Sequence, residues 1–164
     1  MKTNAEQERA FFWNAFNEIL AENGDPFTLS SKKQWAVVNR DNPNWTKPCL
    51  SMDFLIQKRI LVINIFILDD IPLYNRLLAN KAQIESDLGI APPVSKNLFA
   101  VVNKQTNPNF KVQWVQGEKG SNTKRIKTEL DFTPYDHSDY WRLIEKAIPI
   151  VMSYMRAFKR YIEI

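Results

Sequence analysis

The stretch LVINIFILDD, residues 61–70, decides the fold of this chain. Its first eight residues are apolar at both odd and even positions, and Asn64 is the one polar residue among them. Because side chains alternate between the two faces of a strand, such a run is typical of a strand that is covered on both faces. We therefore predict a strand over 60–68 at the centre of a sheet.

The two aspartates that end this run have two interpretations. Asp69 and Asp70 come just before Pro72, and a carboxylate followed by proline is favoured where a helix begins. Paired carboxylates can also hold a metal ion, but adjacent side chains of an extended chain point to opposite faces and would chelate one ion poorly. We expect helix capping, at the start of a helix over 71–88.

The elements on either side follow from their periodicity. Phe12, Phe16 and Leu20 recur at helical spacing before Gly24, which predicts a first helix over 4–23. Alternating or continuous apolar residues predict five further strands, over 34–39, 49–57, 97–103, 110–116 and 125–132.

The last segment carries the strongest helical signal. Over 138–163 apolar residues recur at alternating spacings of three and four, and a second stripe beside them repeats every seven residues. Pro149 falls on the outer side, where it is expected to bend the helix rather than end it. The seam packs either against the protein's own sheet or against a second copy of the chain. The residues that would mediate this self-association are Trp141, Ile148, Met155, Tyr154 and Tyr161.

Taken in order, these elements predict an α+β fold. The order is αβββ-αβββ-α, with an antiparallel sheet packed by helices that include the long carboxyl-terminal one. A length of 164 residues suits one domain over 1–164, with residues 1–4 flexible.

Composition adds expectations about location and partners. A net charge of +4 permits an anionic partner without requiring one. The amino terminus lacks the pattern of a signal peptide, and no apolar run approaches the ~20 residues that span a bilayer. Cys49 is the single cysteine, which excludes an internal disulfide. We expect a cytoplasmic protein with no membrane association and no cofactor.

Four side chains before and within the start of the last helix are candidate metal ligands. A histidine among carboxylates can hold a divalent ion, which a hydrolase could use. However, Ser138 is a typical residue before a helix and Asp139 suits its first turn, so a turn followed by a helix cap explains the same residues. The four candidate ligands are Asp131, Asp136, His137 and Asp139.

Basic residues on one predicted sheet face are candidate contacts to nucleic acid. Strand alternation places Arg125 and Lys127 on the same face, and a tryptophan could stack on bases. Glu129 and Asp131 share that face and weaken its positive potential, so solvated surface charge is the alternative. The candidates are Lys111, Lys124, Arg125, Lys127 and Trp45, with Trp35 as a second stacking residue.

Five segments are similar to a known family. They are ERAFFWNAF (8–16), KRILVINIFI (58–67), YNRLLANKAQIESDLG (74–89), KRIKTELDF (124–132) and YWRLIEKAI (140–148). Taken together they resemble the bacterial and archaeal domain-of-unknown-function family 4268. The resemblance implies a domain that occurs alone or behind nuclease-like domains of defence or restriction systems, and it implies no catalytic residue.

The motifs favour binding over catalysis. No lysine follows Asp or Glu at the spacing that PD-(D/E)xK nucleases need, and the segment GEKGSNTK lacks the spacing of a phosphate loop. The favoured hypothesis is a non-catalytic interaction or accessory module, with a homodimer, a nucleic acid or a nuclease as its candidate partner. The alternatives are a nucleic-acid-binding domain and a metal-dependent hydrolase.

Overall fold

A computed structural model describes residues 4–23, 29, 33–38, 43–45, 48–89, 110–117 and 122–163. The helices are α1 (Asn4–Asn23), α2 (Ile71–Ala79), α3 (Lys81–Leu88) and α4 (His137–Ile162), and a short 3₁₀ helix spans Pro43–Trp45. The strands are β1 (Trp35–Val37), β2 (Cys49–Leu55), β3 (Ile60–Leu68), β4 (Gln113–Val115) and β5 (Thr123–Asp131). The predicted α+β class, with an antiparallel sheet and a long last helix, is confirmed.

The central position predicted for 60–68 is also confirmed. The described strands form one antiparallel sheet in the order β1-β2-β3-β5-β4. β3 pairs with β2 on one side and with β5 on the other, and residues 61–65 are buried regardless of which face they point to. Burial on both faces explains why this strand needs apolar residues at every position except Asn64.

Asp70 caps α2, as the sequence predicts. Its Oδ1 accepts a hydrogen bond of 3.1 Å from the backbone N–H of Leu73, and Pro72 lies in the first turn. Asp69 makes the sharp turn out of β3 with a positive φ of 55°, and its N–H donates to the carbonyl of Asn122. The two aspartates are therefore used to leave the sheet and begin a helix.

The single helix predicted over 71–88 is wrong, because it breaks at Asn80 into α2 and α3. The side-chain amide of Asn80 donates to the carbonyl of Arg76 at 2.8 Å, and its backbone N–H donates to Leu77. An asparagine that bonds the preceding turn in this way competes with helix continuation. The strand predicted over 97–103 lies outside the described residues.

The core lies between the sheet and the helices on one of its faces. Phe12 of α1, Phe54 of β2 and Phe132 after β5 form a continuous ring stack, with centroids 4.1 and 4.7 Å apart. Tyr140 of α4 meets the Phe54 ring edge-on at 5.4 Å. Two helices, the strand β2 and the residue that follows β5 thus meet at one aromatic cluster, although they are distant in sequence.

Most of the apolar seam of α4 is buried in this core. Ile148 and Tyr154 are fully buried, and the Tyr154 hydroxyl bonds Thr128 Oγ1 of β5 at 2.6 Å. Met155 and Tyr161 are half-buried, and Trp141 is 36% exposed. The prediction that Ile148 and Tyr154 mediate self-association is therefore wrong, because their side chains pack within the same chain.

Two further observations concern α4 and the helices in general. α4 runs without interruption through Pro149, as predicted. None of the described helices combines the length and the apolarity that crossing a bilayer requires.

Candidate functional site

Polar residues occupy the middle of the sheet face that points away from α1 and α4. Strand pairing aligns Ser51, Asn64 and Lys127 in one row across β2, β3 and β5. The next row contains Cys49, Phe66 and Arg125. Neighbouring strands lie ~4.8 Å apart, so each row places its side chains within contact distance of one another.

A pocket of about 480 Å³ opens over these rows. We call it the sheet pocket. Its size falls within the range typical of small-molecule sites, ~300–1,000 Å³. It is lined by Trp35, Val37, Cys49, Ser51, Asp53, Asn64, Phe66, Leu68 and Arg125.

Asn64 forms the polar floor of the sheet pocket and is fully buried. Its Nδ2 donates to the Ser51 carbonyl at 3.2 Å and to Ser51 Oγ at 3.1 Å. Since a carbonyl can only accept, the nitrogen of the amide must face Ser51 and the oxygen must face away. That oxygen, Oδ1, receives no hydrogen bond from any described residue.

Asp53 and Arg125 face each other across the same pocket. Arg125 Nη1 lies 3.5 Å from Asp53 Oδ2, at the outer limit of a hydrogen bond, and the two side chains are 39% and 19% exposed. Burial raises the pKa of the Asp53 carboxyl, and the positive charge of Arg125 opposes this shift only in part. The Arg125 guanidinium also lies over the Phe66 ring, 5.0 Å from its centroid. A pair this long leaves both polar groups able to bond a ligand.

Cys49 forms part of the pocket wall and is not a candidate nucleophile. Burial is the main cause that raises the pKa of its thiol, and the negative charge of Asp53 adds to the effect. The thiolate is the reactive form of cysteine, so a raised pKa lowers the fraction of this side chain that is reactive at neutral pH.

Trp45 is wrong as a stacking residue for nucleic acid. It lies in the 3₁₀ helix and is only 2% exposed, so neither face of its ring is free to stack on a base. Trp35, the second stacking candidate, is 45% exposed and lines the sheet pocket.

The basic candidates are dispersed among different contacts. Arg125 faces Asp53, and Lys127 Nζ bonds Glu129 on its own strand at 3.0 Å. Lys124 Nζ donates to the Gln116 carbonyl at 2.9 Å. Lys111 is exposed but lines a second, more open pocket with Phe110, Gln113, Glu129, Leu130, Asp131, Arg142 and Lys146.

The four candidate metal ligands have separate roles. Asp136 caps α4 by accepting from the backbone N–H of Asp139, and His137 Nε2 lies 2.9 Å from Glu8 Oε2. Asp139 accepts from the Thr133 N–H and from Arg142 Nε. Asp131 is exposed at the end of β5.

The metal site predicted from these four residues is therefore wrong. Within the described ranges, no group of three or more His, Cys, Asp or Glu residues is arranged to hold a metal ion. Ser138 is also wrong as the cap of α4, because the helix begins one residue earlier and Asp136 caps it.

Three hydrogen-bonding residues of the sheet pocket are among those missing from the sequence-based candidates. Ser51, Asp53 and Asn64 read as ordinary members of amphipathic or buried strands. The one available signal is Asn64, since a single amide inside an otherwise apolar central strand must find partners when buried.

Comparisons with family models, with curated proteins and with solved structures find no match to this chain. The resemblance to family 4268 therefore stays a prediction.

Asp53→Asn is expected to change how stability depends on pH. Because the pKa of Asp53 is raised from its usual value, the folded protein holds this proton more tightly than the unfolded chain does. Asp53 thus stabilises the fold below its unfolded pKa, and this contribution is lost as the pH rises through the folded pKa. The stability of the variant relative to the natural protein should therefore increase as the pH rises above the usual pKa range of an aspartate.

Asp139→Asn is the matched control, with the opposite sign. The hydrogen bond from Arg142 lowers the pKa of Asp139, so its contribution is present above the unfolded pKa and is lost as the pH falls through the folded pKa. The relative stability of this variant should decrease as the pH rises from below into that usual range. Urea unfolding at a series of pH values measures both variants, and slopes of the same sign would contradict the assignment to Asp53.

Proposed function

We propose that this chain is a non-catalytic interaction module that recognises a small, flat organic ligand in the sheet pocket. The observation that carries the proposal is Asn64, a fully buried residue of the pocket lining whose side-chain oxygen receives no hydrogen bond from the described residues. An unsatisfied buried acceptor costs about 1–3 kcal/mol. A ligand N–H or O–H placed in the pocket would remove that cost.

The lining supports a ligand with a largely apolar body. Val37, Phe66 and Leu68 surround the polar floor, and Trp35 adds a half-exposed ring. Small-molecule sites are commonly apolar clefts with a few fixed polar groups that orient the ligand. This combination favours a flat ring that touches the apolar walls and presents its polar edge to the floor.

The titratable residues support binding rather than chemistry. The pKa of the Cys49 thiol is raised, and the Asp53 carboxyl faces the positive charge of Arg125. His137 belongs to α4, where its ring stacks on Phe11 with centroids 3.7 Å apart and bonds Glu8, away from the face that carries the pocket. A general base must lie within hydrogen-bond reach of the proton it takes.

The wider assignment belongs to the same proposal. We propose a cytoplasmic location, which the composition supports. We also propose a nuclease or a nucleic acid as the larger partner, which the family resemblance supports, with the basic residues as a second reason for a nucleic acid. Homodimerisation through α4 is not part of the proposal, because the middle of its seam lies in the core.

Binding of neutral heterocycles tests the proposal. The probes are 2-aminopyrimidine, indole and quinazolinone, added to the full chain while the amide and tryptophan N–H signals are followed by nuclear magnetic resonance. We expect the signals of the sheet pocket to shift for at least one probe. Asn64→Leu should weaken the binding of that probe about tenfold, because the loss of one hydrogen bond worth ~1.4 kcal/mol corresponds to this factor.

Ile63→Val is the matched control for this experiment. Ile63 is adjacent to Asn64 in β3 but points to the helix face, so its loss of a methylene should leave binding unchanged. Absence of shifts for every probe, or unchanged affinity in Asn64→Leu, would overturn the proposal.

A further inference from the structure

We infer that the outer face of α4 binds the phosphate backbone of a nucleic-acid duplex. The inference rests on the nucleic-acid partner of the proposed function, and it names the surface that meets this partner and the kind of nucleic acid. The sheet pocket opens on the other face of the sheet and takes no part in it. The inference follows from the placement of the cations on α4, from their local partners, and from the residues between them.

The first step is the charge of the exposed face of α4. From Trp141 to the end of the helix seven residues are exposed, and five of them are cationic. Glu145 is the one acidic residue among the seven, so this face has a net charge of +4. The whole chain also has a net charge of +4, so the charges of all other residues cancel. The five cations, which we call the basic stripe, are Arg142, Lys146, Arg156, Lys159 and Arg160.

The second step is the shape of the basic stripe. At ~3.6 residues per turn, its members lie within about 140° of one another around the helix axis. α4 runs without interruption from Arg142 to Arg160, which corresponds to about 27 Å along the axis. A duplex rises ~3.4 Å per base pair, so the stripe has the length of about eight base pairs.

The third step concerns the two arginines at the ends of the stripe. Arg142 bonds Asp139 at 2.5 Å, and Arg160 bonds Asp87 at 2.9 Å. Their side chains are nevertheless 50% and 57% exposed. Since a guanidinium group has five N–H donors, each arginine keeps donors for a phosphate.

The three cations between these arginines are not neutralised in this way. Lys146, Arg156 and Lys159 belong to none of the ion pairs between described residues. The helix dipole stabilises cations in the last turn, where Lys159 lies, but its effect does not extend to Lys146 or Arg156. An anionic partner along the stripe would compensate all three charges.

The residues between the cations select a duplex as this partner. Proteins hold single strands on successive aromatic side chains, whereas Trp141 is the only exposed Phe, Trp or Tyr of α4. A helix that lies on a membrane needs a continuous apolar face beside its cations, whereas Pro149 and Met152 are half-buried. Cations on a rigid helix suit the phosphates of a duplex, which are themselves held at a regular spacing.

Fluorescence anisotropy of the full chain with a labelled DNA duplex of about 16 base pairs, twice the length of the stripe, tests the inference. We expect binding that is independent of base sequence and weakens steeply with salt, because contacts from Lys and Arg release counterions from the phosphates. Three to five contacts predict a slope of about −3 to −5 when the logarithm of affinity is plotted against that of salt concentration. A single strand of the same sequence should bind more weakly.

Charge reversal on the stripe should weaken duplex binding. We expect the double variant Arg156→Glu, Lys159→Glu to lower the affinity at least about tenfold at low salt and to reduce the slope by about 2, one for each lost phosphate contact. Lys58→Glu is the matched control for Lys159→Glu. Lys58 is exposed in the turn between β2 and β3, so its reversal changes the net charge equally without altering the stripe.

Glu145→Lys separates the effect of charge from damage to the fold. This variant removes the acidic residue of the exposed face and adds a sixth cation to it. We expect it to tighten duplex binding several-fold and to steepen the slope by about 1. A destabilised protein would not show this gain.

The absence of salt-dependent duplex binding would overturn the inference. Equal effects of Lys58→Glu and Lys159→Glu would also overturn it, as would tighter binding of the single strand. Binding to vesicles of phosphatidylcholine and phosphatidylserine, without binding to the duplex, would assign the stripe to a membrane instead.

The neutral heterocycles test the sheet pocket separately, and their binding should be unchanged in the Arg156, Lys159 double variant. Retained heterocycle binding without duplex binding would leave the ligand of the proposed function in place and remove the nucleic-acid surface. Duplex binding that no stripe variant changes would keep a nucleic acid as the partner but overturn its assignment to α4.

Discussion

Replacing Phe54 by alanine is expected to lower the free energy of unfolding by about 3–5 kcal/mol, the range typical of buried phenylalanine. Phe54 is the middle ring of the stack between Phe12 and Phe132, and Trp13 and Tyr140 meet its edges. Alanine would leave a cavity bordered by rings from α1, from α4 and from the residue after β5, none of which can collapse without moving its element.

Urea unfolding and thermal melting measure this loss. At this chain length each 1 kcal/mol shifts the midpoint by about 2–4 °C, so the melting temperature should fall by roughly 6–20 °C. Phe54→Leu should lose less, because it keeps much of the volume. Ile71→Ala is the control, since Ile71 is 47% exposed at the start of α2 and its truncation removes little buried surface. A similar loss for both alanine variants would show that the aromatic stack is not the centre of the core.

The elements with strong periodicity could be predicted from sequence, and the reason is burial. β3 is apolar at nearly every position because both of its faces are covered. α1 (Asn4–Asn23) and α4 (His137–Ile162) begin and end within one residue of the bounds predicted for them, 4–23 and 138–163, because one stripe of each packs on the sheet. Hydrophobic spacing reports such faces directly.

Local hydrogen bonding explains where the prediction fails. The pattern over 71–88 stays helical through Asn80, and the break is seen in the hydrogen bond that the Asn80 side-chain amide donates to the Arg76 carbonyl. Asp136 and Ser138 are both good caps by residue type. In the structure Asp136 is the cap, and the next residue, His137, bonds Glu8 of α1, which is distant in sequence.

The candidate site could not be found from sequence because it is assembled by register. Asp53, Asn64 and Arg125 come from three strands, and none belongs to a motif with the others. A shift of one residue in either pairing would send one of them to the helix face. Trp45 fails for a related reason, since a three-residue helix has no periodicity from which burial can be inferred.

The double variant Ser51→Ala, Asn64→Leu is expected to be more stable than the natural protein. It removes the unpaired Asn64 oxygen together with the hydroxyl that the Asn64 amide bonds, and it fills the same space with apolar atoms. Replacing a buried, partly unsatisfied polar group by an apolar one of similar shape is neutral to stabilising. We expect a gain of about 1–2 kcal/mol, or roughly 2–8 °C in melting temperature.

Thr128→Val provides the opposite case on the other face of the same sheet. Thr128 Oγ1 and the Tyr154 hydroxyl bond each other at 2.6 Å, so the valine leaves the Tyr154 hydroxyl buried without its partner. This variant should lose about 1–3 kcal/mol. A loss of stability in both variants would mean that Asn64 is satisfied in the folded protein, and the reason to assign a ligand to the sheet pocket would disappear. Opposite signs, with ligand binding lost only in the double variant, would show that the chain retains Asn64 for recognition at the expense of stability.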